Sequence, residues 1–163
     1  MNKKITLLTF AAIVALFMSV TSCKKAKSNM DQLATLGKAT VTGKVWAPLV
    51  DTFGTPGLQN APSGTTISAW VDTRDLIVNP DGTASYAKRY YTAAVDGSGN
   101  YTLTVDVSQY QPATIHIMPA QFVYNQVVDG TTGTTTQRKI YYGVDADVTV
   151  IKDGTSYADL MYN

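Results

Sequence analysis

The chain has 163 residues, 13 basic and 12 acidic side chains, and a formal net charge of +1. This length suits a single domain, and the near-neutral charge gives no electrostatic reason to expect a nucleic-acid partner. A single cysteine excludes an intrachain disulfide and a cysteine-based metal site. All the acidic residues are Asp, and Thr, Val and Tyr are abundant, so the composition favours an all-β fold.

The first 22 residues have the pattern of a secretion signal. Lys3 and Lys4 provide a positive start, and an apolar run follows over residues 5–20. This run is shorter than the ~20 residues that a membrane-spanning helix needs. We therefore predict that residues 1–22 are a signal peptide. The alternative is an uncleaved anchor helix followed by an incidental cysteine.

The signal ends in Val20-Thr21-Ser22-Cys23, which resembles the lipobox of bacterial lipoproteins: a branched apolar residue, two small residues and a cysteine. The resemblance implies that Cys23 receives a diacylglyceryl group, that the signal is cut before it, and that its new amino group is acylated. Two or more acyl chains anchor a protein stably, whereas one is marginal. We expect a lipidated, flexible tether over residues 23–38.

The residues after Cys23 bear on which membrane holds the anchor. An Asp directly after the cysteine resembles an inner-membrane retention signal, but this position is Lys24. Surface-exported lipoproteins of the Bacteroidetes tend to carry acidic residues there, whereas this tether is basic. The resemblance therefore implies an outer-membrane anchor with the domain facing the periplasm.

Apolar and polar residues alternate through residues 39–163. Examples are residues 67–72, 101–107 and 114–118, where each second residue is apolar. Such alternation buries one face of a strand and leaves the other in solvent. We therefore predict one all-β domain over residues 39–163, a two-layer antiparallel β-sandwich of about seven to nine strands.

Asp-Gly pairs mark turns between these strands. We predict that Asp96-Gly97 joins two strands of one hairpin and that Asp153-Gly154 joins another. A third hairpin is expected between residues 121–128 and 137–143, with a mobile Thr- and Gly-rich tip over residues 129–136.

Three segments together resemble the transthyretin-like, or carboxypeptidase-regulatory-like, β-sandwich. They are Thr42-Gly43-Lys44-Val45, residues 61–69 and residues 91–103, the last with the order Thr-x-x-x-Asp-x-x-Gly-x-Tyr. The family's domains are usually accessory: they bind partners or glycans, or space other domains apart. The sequence departs from the family in long insertions near residues 47–64 and 73–85, and the carboxyl-terminal third has no counterpart.

Aromatic residues are the candidate ligand-binding residues. We single out Trp46, Trp70, Tyr90 and Tyr142, because exposed Trp and Tyr rings stack on sugars and adjacent tyrosines on a strand cannot both point inward. Trp70 is out of phase with its apolar neighbours, which places it on an outer face. The alternative is that these residues are ordinary strand formers.

No group of residues indicates catalysis. His116 is the single histidine, out of phase with the apolar residues beside it, and sequence alone gives it neither a nucleophile nor further metal ligands. The oxygen-rich segment from Asp96 to Asn100 is better explained as a turn than as a calcium loop. We therefore expect no metal, no cofactor and no enzymatic activity. An Asp-based hydrolase is a weaker alternative, and it requires two converging carboxyl groups.

We accordingly expect a membrane-anchored lipoprotein that acts as a binding or structural module in the cell envelope. Its partners are the membrane, through the lipid anchor, and an envelope protein or glycan. The alternative is a glycan-binding lipoprotein of a polysaccharide-uptake system, which predicts a coplanar exposed pair such as Trp70 with a tyrosine on a neighbouring strand. A structural subunit would instead show a long unpaired edge strand.

Overall fold

The computed structural model describes residues 29–51, 53–130 and 133–163, so the predicted signal peptide and Cys23 lie outside the described residues. The prediction of an all-β sandwich is confirmed. The described residues contain one α-helix, one short 3-10 helix and eleven strands. Their bounds are α1 Asn29–Ala34, β1 Gly37–Val50, β2 Pro56–Asn60, β3 Thr66–Asp72, the 3-10 helix Thr73–Leu76, β4 Lys88–Ala94, β5 Asn100–Val107, β6 Ala113–Pro119, β7 Phe122–Gly130, β8 Gly133–Tyr141, β9 Ala146–Val150, β10 Thr155–Tyr157 and β11 Leu160–Met161.

Two sheets form the layers, and the long strand β1 organises the first of them. On one side, β1 pairs antiparallel with β5 and then with β2; on the other, it pairs parallel with β10 and then with β11. The second sheet is antiparallel, in the order β4-β3-β6-β9. Strands β7 and β8 form a separate two-stranded hairpin, here called the arm.

The core lies between the two sheets and follows the alternation of the sequence. Strand β3 buries Ile67, Ala69 and Val71, while β1 buries Val41 and Val45 from the opposite layer. Burying one such side chain contributes about 1.5–3 kcal/mol. Since successive side chains of a strand point to opposite faces, the residues between them form the two outer surfaces of the sandwich.

The predicted tether and the insertion at 73–85 contain more structure than expected. Residues 29–34 form α1, and β1 begins at Gly37, two residues before the predicted start of the domain. The side chain of Gln32 accepts a hydrogen bond from the Val78 N–H at 2.8 Å, which fixes α1 beside the chain that follows the 3-10 helix. Neither helix of the described residues is long and apolar enough to cross a membrane.

Two of the three predicted hairpins are wrong, although their turns are present. At Asp96-Gly97 the chain turns tightly, with the Asp96 N–H donating to the Asn100 carbonyl at 2.8 Å, but β4 and β5 belong to different sheets. At Asp153-Gly154 the chain also changes sheets, because β9 pairs with β6 whereas β10 pairs with β1. Turn chemistry is local and does not determine which sheet receives the next strand.

The third predicted hairpin is confirmed as the arm, with strands longer than expected. Its base is held by aromatic packing: the rings of Phe122 and Tyr141 stack at 5.2 Å, and Phe122 contacts Tyr162 edge-on at 4.7 Å. The Tyr141 hydroxyl donates to the Pro48 carbonyl at 3.2 Å. Of the predicted tip 129–136, residues 131 and 132 lie outside the described residues, and the rest belongs to β7 and β8.

Candidate functional site

The four aromatic residues predicted from sequence fall on opposite surfaces of the sandwich. Trp70 and Tyr90 are directly opposite each other on β3 and β4, on the outer face of the second sheet. Trp46 lies on the outer face of the first sheet, and the exposed Tyr142 follows β8 at the same side. The structure therefore pairs Trp70 with Tyr90 and places Trp46 and Tyr142 on the other sheet, so the four residues do not form one site.

Trp70 is on an outer face, as predicted, but its indole ring is covered on both sides. The imidazole of His116 stacks on it with the ring centres 3.9 Å apart and the planes at 20°. The Lys88 ammonium lies 3.5 Å from the ring centre. Since β3 lies between β4 and β6, the two contacts come from opposite sides. Trp70 thus presents no bare ring face to a ligand in this structure, while Tyr90 remains 63% exposed.

His116 belongs to this same outer face, whereas its phase in the sequence allowed either solvent or the second layer. Its Nδ1 lies 2.6 Å from Oδ1 of Asp147, the residue opposite it on β9. Asp147 is 66% exposed, so water screens the pair. The described residues contain no group of three or more side chains suited to hold a metal ion. This row of side chains is therefore explained by cross-strand packing with one exposed contact between His116 and Asp147.

The Asp96 segment behaves as a turn, in agreement with the sequence interpretation. The Asp96 carboxylate accepts hydrogen bonds from the backbone N–H groups of Asn100 and Ser98, both at 2.8 Å. Both bonds lower the pKa of Asp96 from its ordinary value of 3.8, and the bond from Asn100 lowers it most. Its Oδ1 is thus committed to the backbone of the turn.

The outer face of the first sheet carries a connected apolar surface at the far end of β1. Trp46 is level with Met161 on β11, and the Val144 N–H donates to the Met161 carbonyl at 2.9 Å. On the other side of β1, Leu58 of β2 is opposite Pro48. We call this surface the apolar face and define it by Trp46, Pro48, Leu58, Tyr142, Val144 and Met161.

The apolar face is open to solvent at large side chains. Leu58, Tyr142, Val144 and Met161 are between 41% and 58% exposed. The surface continues onto the arm, where Ile140 lies two residues before Tyr142, opposite the equally exposed Val123. More than half of the exposed large apolar side chains of the described residues lie here, and contiguous surfaces of this kind mark binding sites.

Cations border the apolar face. The Lys44 ammonium lies 4.4 Å from the centre of the Trp46 ring. Arg138 is exposed on the arm, on the same side as Ile140, because side chains alternate along β8. The residues that define the apolar face include no carboxylate, ammonium or guanidinium group, so a partner surface would be apolar there and would meet charge only at the edge.

The apolar face lies far from the end of the domain that follows Cys23 in the chain. Strand β1 begins at Gly37 and reaches Trp46 after nine residues. At about 3.3 Å per residue this is about 30 Å. The apolar face therefore lies at the far end of β1 from the point where the chain enters the sandwich.

A polar cluster missed by sequence analysis joins the two sheets where β4 meets β5. Asp106, whose side chain is 13% exposed, accepts hydrogen bonds from Lys38 and Arg89, both at 2.6 Å, and from the Tyr91 hydroxyl at 3.1 Å. Burial alone would raise the pKa of Asp106, but these three hydrogen bonds outweigh it and hold the pKa below 3.8. We call Lys38, Arg89, Tyr91 and Asp106 the Asp106 cluster.

The cluster stabilises the fold and was not evident from sequence, because the partners of Asp106 lie 15 to 68 positions away from it. The Tyr91 hydroxyl binds Asp106 twice: it donates to the carboxylate and accepts from the Asp106 N–H, both at 3.1 Å. Burial, followed by the nearby carboxylate charge, raises the pKa of Tyr91 to about 12. Both Asp106 oxygens accept hydrogen bonds within the cluster, so the carboxylate is committed to the fold.

Comparison with known proteins places the chain in no family. No protein-family model matches it, and no curated protein matches it. A solved structure with some likeness is chlorocatechol 1,2-dioxygenase from Pseudomonas putida, at a TM-score of 0.32 and 14% sequence identity. The match covers 78% of this chain, and the chain spans 60% of the dioxygenase.

This match contradicts the prediction that the chain is not an enzyme, because the dioxygenase is one. That prediction is withdrawn. With a TM-score this low, the match says nothing about which reaction, if any, this chain catalyses.

Proposed function

We propose that the protein is a lipid-anchored lipoprotein of the bacterial cell envelope, held at the outer membrane on the periplasmic side, and that its sandwich domain is a binding or structural module. The apolar face is the binding surface. The observation that carries the proposal is the concentration of exposed large apolar side chains on this one face, 41% to 58% exposed at four positions.

The composition of the apolar face supports a recognition role. Trp, Tyr and Met are enriched where proteins bind each other, whereas charged side chains are depleted at the centre of such surfaces. Trp46, Tyr142 and Met161 fit this pattern, and Lys44 stays at the border.

The anchor gives the module its mechanism. Acyl chains on Cys23 would confine the domain to a membrane surface, which raises its effective concentration for any partner held at that surface. The distance of about 30 Å along β1 between Gly37 and Trp46 would keep the apolar face clear of the lipid headgroups. Anchor and binding surface thus occupy different ends of the molecule.

Site-specific photo-crosslinking in the cells that make the protein tests this proposal. A photoreactive residue replaces Tyr142 in the full chain, and a matched variant carries it at the equally exposed Tyr90 on the other sheet. The proposal predicts a discrete adduct, in the membrane fraction, from position 142 and none from position 90. Equal or absent adducts at both positions, or a protein outside the membrane fraction, would contradict it.

A further inference from the structure

We propose that strand β5 binds an extended segment of another polypeptide chain, which adds to its free edge as a further antiparallel strand of the first sheet. This inference goes beyond the proposed function, because it needs neither the apolar face nor the anchor. Strand β5 pairs with β1 on one side only. We call residues 101–105, along its other side, the open edge, and three observations support its role.

The first observation is the direction of the backbone groups of the open edge. The Asp106 N–H donates to the Tyr91 hydroxyl of β4 at 3.1 Å, so it points away from β1. Because backbone groups of an antiparallel strand alternate in direction from one residue to the next, Thr104 and Thr102 also direct their N–H and C=O groups away from β1. The described residues provide no hydrogen-bond partner for these four groups.

The groups at both ends of the open edge are already bonded, which fixes its length. At one end, the Asn100 carbonyl accepts from the Asp96 N–H at 2.8 Å in the turn before β5. At the other end, the Tyr91 hydroxyl occupies the Asp106 N–H. The two residues with free groups lie about 6.7 Å apart, and an extended chain carries its own N–H and C=O groups at this spacing. An extended polypeptide therefore fits the open edge.

The second observation is that nothing in the sequence protects the open edge. Proteins guard free edges with charged residues, with proline or with very short strands. The other edges of the sandwich carry such protection: β4 begins with Lys88 and Arg89, β2 begins with Pro56, β9 contains Asp147, and β10 has only three residues. Residues 101–105 contain no charged residue, proline or glycine.

The third observation is a groove beside the open edge, between β4 and β5. Where Arg89 and Tyr91 reach Asp106, side chains close the gap between the two sheets. Further along β4, Ala93 and Ala94 have side chains too short to cross this gap, and a groove with a volume of about 330 Å³ remains. Inward-pointing side chains of an added strand would enter this groove.

The lining of the groove indicates which side chains the segment carries. Apart from Asp96, the lining residues are uncharged, and Thr92 and Thr102 are among them. The Asp96 carboxylate forms no ion pair within the described residues. It lies near the start of β5, where an antiparallel segment ends. We therefore specify an extended, uncharged segment of β-branched residues with one cation at its carboxyl end.

Exchange of backbone N–H groups with water, measured by nuclear magnetic resonance on the isotope-labelled full chain, tests the proposal. The probe is the peptide Val-Thr-Val-Thr-Lys with both ends blocked. The matched control has proline in place of the second threonine, which removes one ladder N–H. Four hydrogen bonds correspond to a dissociation constant of about 1 mM. We expect about 10 mM probe to slow exchange at Thr102 and Thr104 about tenfold, and the control peptide to have no effect.

Substitution of Thr104 tests the same bonds from the side of the protein. Thr104→Pro removes an N–H that does not face β1, so the pairing with β1 is kept, whereas Thr104→Val keeps this N–H. The affinity for the probe should fall by at least about tenfold in Thr104→Pro and stay unchanged in Thr104→Val. If Thr104→Pro does not fold, the probe and the control peptide on the parent chain decide the question.

Four results would overturn the proposal. Exchange that the probe leaves unchanged, or that both peptides slow equally, would show that no strand adds to the open edge. Slower exchange at Tyr90 and Thr92 in place of the open edge would put the added strand on β4. Slow exchange without any probe, increasing with protein concentration, would assign the open edge to a second copy of this chain.

Discussion

Replacing Asp106 with Asn should destabilise the fold by about 1–3 kcal/mol. In the Asp106 cluster the carboxylate accepts from Lys38 at one oxygen and from Arg89 and Tyr91 at the other. An amide would turn one of these oxygens into a donor that faces another donor. A hydrogen bond to a charged group contributes about 1.5–3 kcal/mol. Because Lys38 and Arg89 are 64% and 40% exposed, solvent screens their bonds, and the three bonds together should contribute about as much as a single buried one.

Urea unfolding of the purified mature chain measures this loss, with Asp153→Asn as the matched control. Asp153 is 78% exposed, its distance to Lys152 is 3.7 Å, and its φ of 59° suits Asn, so its substitution should change stability by less than about 0.5 kcal/mol. An Asp106 variant that is as stable as the parent chain at pH 7 would refute the reasoning.

The pH dependence supplies a second test of the same substitution. Because the folded-state pKa of Asp106 is lowered, its contribution is fully present above the ordinary value of 3.8 and is lost as the pH falls through the folded value. The stability difference between parent and Asp106→Asn should therefore shrink as the pH falls below about 4, because the parent carboxyl group becomes protonated. A difference that is independent of pH would show that the charge of Asp106 contributes nothing.

Other substitutions and titrations test the packing between the two sheets. Gly43→Ala should destabilise the chain by more than about 3 kcal/mol, because the added Cβ would overlap the Ala158 carbonyl oxygen. The matched control is Gly57→Ala, whose added Cβ meets open space and should leave the free energy of unfolding nearly unchanged in the same urea experiment. Ultraviolet titration of the phenol groups should show three tyrosines that ionise only at about pH 12, chiefly because burial raises their pKa. These are Tyr91, Tyr101 and Tyr162. Since the unfolded chain would lose their protons near pH 10, the free energy of unfolding should fall as the pH rises from about 10 to 12. Ionisation of all tyrosines near pH 10 in the folded chain would contradict the packing of these three side chains.

The outward and inward faces of single strands could be predicted from sequence. Alternation alone placed Trp70 on an outer surface, where it lies opposite His116. The reason is that a strand's side chains alternate whatever its neighbours are. The same logic located the core residues of β3, β5 and β6, which are buried at every second position.

The relations between strands could not be predicted in this way. The parallel pairing of β1 with β11 builds the apolar face, yet the two strands are more than 110 residues apart and carry no local signal for each other. The stack of Lys88 and His116 on Trp70 likewise depends on β3 lying between β4 and β6. Sequence identified Trp70 as an outward aromatic residue but could not reveal that its two ring faces are covered.

The mass of the mature chain, purified from membranes under conditions that do not hydrolyse its acyl esters, tests the central claim most directly. The account predicts a chain that begins at Cys23, carrying a diacylglyceryl group on its thiol and an acyl group on its amino nitrogen, and a Cys23→Ser variant that keeps its signal and lacks both. A mature chain with an unmodified Cys23, or one that retains residues 1–22, would contradict the anchor and with it the proposed place of the apolar face in the envelope.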